Sequence, residues 1–255
     1  MSEFIKKLER ISREKAQPLG FGGIARNKSS AMMLIGQLPQ AQAGIGNSIS
    51  EEVDALLFDV MDSDGLAEAL SMQVKGRGEG GSKLVPWGIR LGTADLGELA
   101  KLADAGCDYL VFKPEVPARI VAEERMGKVL EVDTSLGDSL ARAIGQIPLE
   151  AILLRNDEES SLSVQQLLDY QRLIAFAGTL PIALLPADIS DLEALWGIGV
   201  RGLVIDVSTE DRHEKLAMVK EAIRKLPASR RKPQERISPI LPTVQALDEE
   251  FEEGI

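Results

Sequence analysis

The chain has 255 residues, 44% hydrophobic and 27% charged, the composition of a soluble globular protein large enough to bury the core of one α/β domain. It contains no run of about 18 apolar residues to span a bilayer. A formal net charge of −11 at pH 7 argues against nucleic acid, which needs clustered Lys and Arg. The single cysteine excludes an internal disulfide framework and a Cys-based metal cage and fits a cytoplasmic location, as does the absence of an apolar export signal from Met1 to Leu8.

Residues 1 to 16 carry Phe4, Leu8 and Ile11 at i, i+4 and i+7 among charges, which predicts an amphipathic helix packed across the bottom or side of the domain. A membrane surface or a partner is the alternative use of that face. Phe21, Gly22 and Gly23 with Arg26 suit a turn or hairpin before the first strand. Four later segments share one frame, a short apolar run that closes on a charge: Val53 to Asp59, Cys107 to Lys113, Leu149 to Arg155 and Val200 to Asp206. Between them Ala31 to Gln37, Val85 to Leu91, Lys128 to Thr134 and Leu180 to Leu185 complete eight strand candidates.

Helical stretches at 64–75, 94–105, 116–126, 136–147, 163–176, 190–196 and 211–226 separate most of these strands, which implies a parallel sheet with right-handed crossovers. From Asp59 to Asp206 is 147 residues over six steps, about 24.5 each, against roughly 30 in a typical barrel of ~250 residues. The predicted fold is α/β, a single parallel (β/α)8 TIM-like barrel with short loops. Its first crossover, Gln40 to Glu52, holds Gly44, Gly46 and Asn47 and supports only a poor helix, so an open doubly wound sheet is the alternative. Residues 1–227 form the barrel with its N-terminal helix, and 228–255 form an irregular C-terminal tail. In that tail Ile237, Ile240, Leu241, Val244 and Leu247 are placed to dock on the barrel or on a second copy, making a homo-oligomer.

In a parallel barrel the strand C-termini carry the site, and alternate strands share a layer. If the closing charge of each frame points inward, Asp59, Lys113, Arg155 and Asp206 form one layer with zero net charge. The odd strands add Arg90, Glu131 and Asp133, the last two alternating with Leu130 and Val132 at the strand period of two. Buried charges crowded together do not stabilise a fold merely by existing, which favours a functional mouth over a sealed ion network. A desolvated Lys113 beside other cations would serve as base or Schiff-base nucleophile, with Asp59 or Glu131 as its structural partner otherwise. Arg90 and Arg155 would clamp a carboxylate or phosphate with Asp59 and Glu131 beside them, while Asp133 and Asp206 move protons.

No cofactor is specified by the sequence. A metal form of the mouth would use Asp59, Glu131, Asp133, Asp157 and Asp206 as oxygen ligands for Mg²⁺ or Mn²⁺. The sole histidine, His213, lies in the charged first turn of the last helix and reads as solvated. Gly76 to Lys83 lacks the Gly-Lys-Ser/Thr ending of a phosphate loop and reads as a connector at the barrel bottom, while Asp62 to Gly65 reads as a helix cap. The turns after the last two strands, Pro186 to Ser190 and Val207 to Asp211, are acidic and lack Gly, unlike the usual barrel phosphate site. Cys107 reads as packed core.

The segment Leu102 to Phe112 resembles the helix-to-strand joint of many barrel lyases, isomerases and flavin enzymes, with Gly106 ending the helix and Asp108 opening the strand. That resemblance implies fold and not activity. The functional expectation is a lyase or isomerase acting on a small anionic metabolite at the mouth. The competing expectation is a noncatalytic barrel whose charges are internal salt bridges and whose ends mediate assembly.

Overall fold

The structure is a computed structural model and describes residues 2–13, 30–39, 49–60, 85–92, 99–155 and 161–227. Eight parallel strands close into a barrel in chain order: β1 (Met33–Pro39), β2 (Ala55–Val60), β3 (Trp87–Leu91), β4 (Tyr109–Phe112), β5 (Gly127–Asp133), β6 (Ala151–Arg155), β7 (Leu180–Leu184) and β8 (Gly202–Asp206). The last strand returns to the first, from Met33 opposite Gly202 to Gln37 opposite Asp206. Closure removes the open-sheet alternative. In every frame the first two residues precede the strand, so the ladder takes only the apolar run and, in three of the four, the charge that ends it.

Six helices are described: α1 (Glu3–Arg13), α2 (Leu99–Asp104), α3 (Asp138–Ile144), α4 (Val164–Ala177), α5 (Leu192–Ile198) and α6 (Arg212–Lys225). The clearest start and stop belong to α4, where Ser163 and Gln166 form a capping box and Gly178 ends the helix at a φ of 64°. The helix expected over 116–126 is only a 3₁₀ turn, Ala118–Ala122. Pro117 opens it without an N–H to give, and Glu123 is already extended on the way to β5. The stretch expected over 64–75 and the tail 228–255 lie outside the described residues.

Alternation along the strands separates two cores. One parity (Leu56, Phe58, Ile89, Leu110, Ile152, Leu203) faces outward onto helix residues including Leu102, Ile144, Leu173, Leu195 and Leu216. The other parity (Met33, Ile35, Ala55, Leu57, Val111, Val129, Ala151, Leu153, Ile182, Val204) fills the barrel, together with Phe4, Ile5, Leu8 and Ile11 of α1. The N-terminal helix is therefore a plug for the barrel bottom. Small side chains on the first strand positions leave it room. A Cβ on Gly127 would stand 2.8 Å from Ile5, and one on Gly88 would stand 2.5 Å from both the ring and the carbonyl of Tyr109. Phe4 stacks on that ring with centroids 3.9 Å apart, and Tyr109 donates its hydroxyl to the Leu56 carbonyl at 2.7 Å. Each of the four apolar plug residues contributes about 1.5–3 kcal/mol by burial.

The second residue of each frame pins the same end through backbone groups. Asp108 accepts from the Ser2 hydroxyl at 2.7 Å and from the N–H groups of Glu3 and Phe4 at 2.9 and 2.8 Å, so it caps α1 across the barrel bottom. Asp54 accepts from Leu34 N–H at 2.9 Å and pairs with Lys7 at 2.6 Å. Glu150 accepts from Lys128 N–H at 2.7 Å, and Arg201 donates to the Val200 carbonyl at 2.7 Å.

Candidate active site at the barrel mouth

The pairing register places the charged strand ends in two stacked layers. Asp206 aligns with Gln37 and Gln37 with Leu57, while Asp59 aligns with Arg90 and Arg90 with Val111. Each step between alternate strands is thus offset by two residues at equal height, as a shear of about 8 requires. On that offset Asp59, Lys113, Arg155 and Asp206 of the even strands share the upper level. Gln37, Arg90, Glu131 and Leu184 of the odd strands share the level beneath.

Ion pairs stitch the two levels together on one side. Gln37 Nε2 donates to Asp59 Oδ2 at 2.6 Å, and Asp59 Oδ1 lies 3.3 Å from Arg90 Nη1. Arg90 places Nε 3.1 Å from Glu131 Oε2 of the same layer, and Glu131 Oε1 accepts from Arg155 Nη1 at 2.9 Å. Along the chain of contacts side-chain exposure is 18% at Asp59, 17% at Arg90, 3% at Glu131 and 38% at Arg155, so Glu131 is the buried member between two arginines and Arg155 is the one at the rim. The contacts are incomplete. Asp59 Oδ1, Arg90 Nε and Nη2 and Glu131 Oε2 are buried and make no hydrogen bond, although ion-pair distances bring three of them close to opposite charge.

The other expected residues stand apart from this chain. Lys113 is exposed, one residue beyond β4, and makes no ion pair among the described residues; its carbonyl accepts from Val116 N–H at 3.3 Å. The desolvation expected to strip its proton is therefore missing, because the β4 ladder ends at Phe112. Asp206 is exposed and accepts from Ser208 N–H at 2.8 Å. Asp133 is exposed and accepts from Ser135 N–H at 2.7 Å. The Ser135 side chain holds the Asp133 carboxyl below its ordinary value, with help from Ser135 N–H and the Arg155 charge. Gln37 is the site residue that strand-end charges do not reveal, since a neutral amide closes the first apolar run.

Among the described residues no three His, Cys, Asp or Glu side chains converge as a metal-binding group. Within the expected oxygen set, the Arg90 and Arg155 guanidiniums hold the buried carboxylates, and Asp157 lies outside the described residues. His213 is half exposed, with Nδ1 2.6 Å from Glu52 Oε1, and meets none of the mouth residues named above. A concavity of about 1040 Å³ lies near the opposite end, by Ile11, Leu34, Asp54 and Trp196. Its lining includes Ser30 and Pro227, which border undescribed segments, and it holds none of the mouth residues.

No family model matches the chain, and no curated protein matches it. Solved structures do. A mutant tryptophan synthase alpha-subunit from Pyrococcus furiosus has a TM-score of 0.58 at 14% identity, covering 76% of this chain and 97% of that one. Two structures of the tryptophan synthase complex from the same organism give TM-scores of 0.60 at 13% identity over the same shares. The likeness is one of fold. It agrees with the closed eight-stranded parallel barrel, and at this identity it assigns no activity to the mouth. No helix among the described residues is long and apolar enough to cross a membrane.

Proposed function

We propose that the chain is a cytoplasmic barrel enzyme, a lyase or isomerase in type, acting on a small anionic metabolite at the C-terminal mouth. The observation that supports this reading is the pair of ionisable layers, whose upper members Lys113 and Asp206 are exposed on opposite strands of the barrel while Arg155 rises beside them. In this reading Arg155 anchors the anion, with Arg90 beneath it and Asp59 and Glu131 holding both guanidiniums in place. Lys113, exposed just past the end of β4, acts as base or nucleophile only once bound substrate has displaced water from it, and Asp206 returns the proton from β8. Asp133, held ionised, orients Arg155 and accepts hydrogen bonds from the substrate. A panel of small carboxylates and phosphates, read by calorimetry and thermal shift, tests the assignment. Arg155→Ala should weaken the best binder at least about tenfold, and Lys113→Ala or Asp206→Ala should abolish turnover or weaken binding. Unchanged binding in both of the latter variants would sink it.

A second reading, a noncatalytic barrel with a salt-bridged mouth, draws on the mutual pairing of Asp59, Arg90, Glu131 and Arg155. It expects no panel member to bind. Association with another chain, a second copy included, fits either reading, since two of the similar structures are of a complex. Light scattering of the full chain against one lacking 228–255 reads that point.

A further inference from the structure

We infer that the substrate of the mouth is hydroxylated: a hydroxyl group completes the buried seat formed by Asp59, Arg90 and Glu131 while the anionic group engages Arg155. The inference rests on the anion-binding reading above and adds the chemistry of the part that goes deepest. What the seat lacks defines its ligand. Two acceptors, Asp59 Oδ1 and Glu131 Oε2, and two donors, Arg90 Nε and Nη2, are buried without a hydrogen bond. Glu131 is 3% exposed, so its Oε2, 3.1 Å from Arg90 Nε but without a hydrogen bond, sits deep in the barrel. Buried polar atoms without partners cost about 1–3 kcal/mol each, and a charged group costs more. A carboxylate or phosphate would serve the guanidinium and worsen the two acids. An ammonium would serve the acids and oppose Arg90. A hydroxyl donates one hydrogen bond and accepts others, and it adds no charge to a level that already balances.

The seat opens without disturbing the barrel wall. Arg155 is the most exposed member, at 38%, and holds Glu131 through the other carboxylate oxygen. An incoming anion competes for Arg155, so the guanidinium turns outward with the ligand and uncovers Glu131 and Arg90 beneath. Anion binding and hydroxyl binding are in this way successive parts of one event.

Succinate, malate and tartrate carry the same two carboxylates with none, one and two hydroxyls, and titration calorimetry of the full chain against the three tests the inference. Affinity should rise along the series by about tenfold or more per hydroxyl that reaches the seat. Glu131→Gln should reduce that increment, read as the malate-to-succinate affinity ratio within the variant, to less than about threefold, whatever the variant's affinity for succinate itself. Asp59→Asn provides the same reading if Glu131→Gln is poorly folded by circular dichroism. Equal affinity for all three acids would overturn the hydroxyl seat and leave the anion site standing, as would an increment that survives both substitutions. Binding of none would remove both.

Discussion

Each end of the barrel carries a ring of charges, and the two rings are bonded differently. At the bottom Asp54, Asp108, Glu150 and Arg201 all reach backbone groups, and Asp108 alone accepts three hydrogen bonds. At the mouth Asp59, Arg90 and Glu131 meet mainly one another as ion pairs, and four of their buried polar atoms make no hydrogen bond. A carboxylate that satisfies otherwise orphaned N–H groups stabilises a fold, whereas a buried ion pair with imperfect hydrogen bonding is neutral or costly relative to apolar side chains of similar size. The bottom ring is thus built for stability, whereas stability does not account for the mouth ring, which is the basis of the proposed anion site.

The sharpest way to break this contrast is at Asp108. Asp108→Ala removes the acceptor for Ser2 Oγ and for the first N–H groups of α1, and so loosens the plug that carries Phe4, Ile5 and Leu8. A loss of about 3 kcal/mol is expected, from a helix cap of ~1 kcal/mol and charge-assisted bonds of ~1.5–3 kcal/mol. Urea unfolding at neutral pH reads it, and a change below about 0.5 kcal/mol would mean that α1 does not need its cap.

The opposite sign is expected at the other end. Replacing the buried trio by apolar residues, Asp59→Leu with Arg90→Met and Glu131→Leu, should leave stability unchanged or raise it by about 1–4 kcal/mol. Anion binding should vanish with it. If this triple variant instead lost as much stability as Asp108→Ala, the mouth ring would be structural and the enzyme reading would lose its basis.

The barrel was legible because its signal is local. An apolar run that closes on a charge and recurs about every 24.5 residues needs no tertiary information to read as a repeated βα unit. Inward parity was legible for the same reason, since the closing charge follows the period of two. Partners were not. Arg90 reaches Glu131 because the register of β3, β4 and β5 sets the two in one inward layer of the closed barrel, a fact that belongs to the closed sheet and not to either segment. The bottom pins escaped for a related reason. Asp54, Asp108, Glu150 and Arg201 look like solvated residues at the start of an apolar run until α1 and the preceding strands are brought beneath them. The 3₁₀ turn at Ala118–Ala122 stands where the local pattern predicts a helix because the chain is already extended at Glu123, which the pattern does not carry.

The mildest test of the contrast asks whether the bottom is sealed. Cys107 adjoins Asp108, is buried, and donates to the Tyr109 carbonyl at 3.4 Å. Burial pushes its thiol up to about 12. The folded protein therefore keeps a proton that the unfolded chain releases near pH ~8.5. The sign follows: this contribution to stability is whole below pH ~8.5 and declines as pH rises toward 12, by up to about 1.4 kcal/mol per pH unit. Tyr109 and Tyr170, also raised by burial, add losses only above their ordinary value of 10. Comparing wild type with Cys107→Ala by urea unfolding from pH 7 to 10 isolates the thiol, because the variant lacks the first part of the decline. Iodoacetamide at pH 8 should leave the native thiol unmodified for as long as the protein stays folded and label it fully in urea. Rapid native labelling would show that the plug opens, and it would move the distinction between the two ends from their hydrogen bonds to their dynamics.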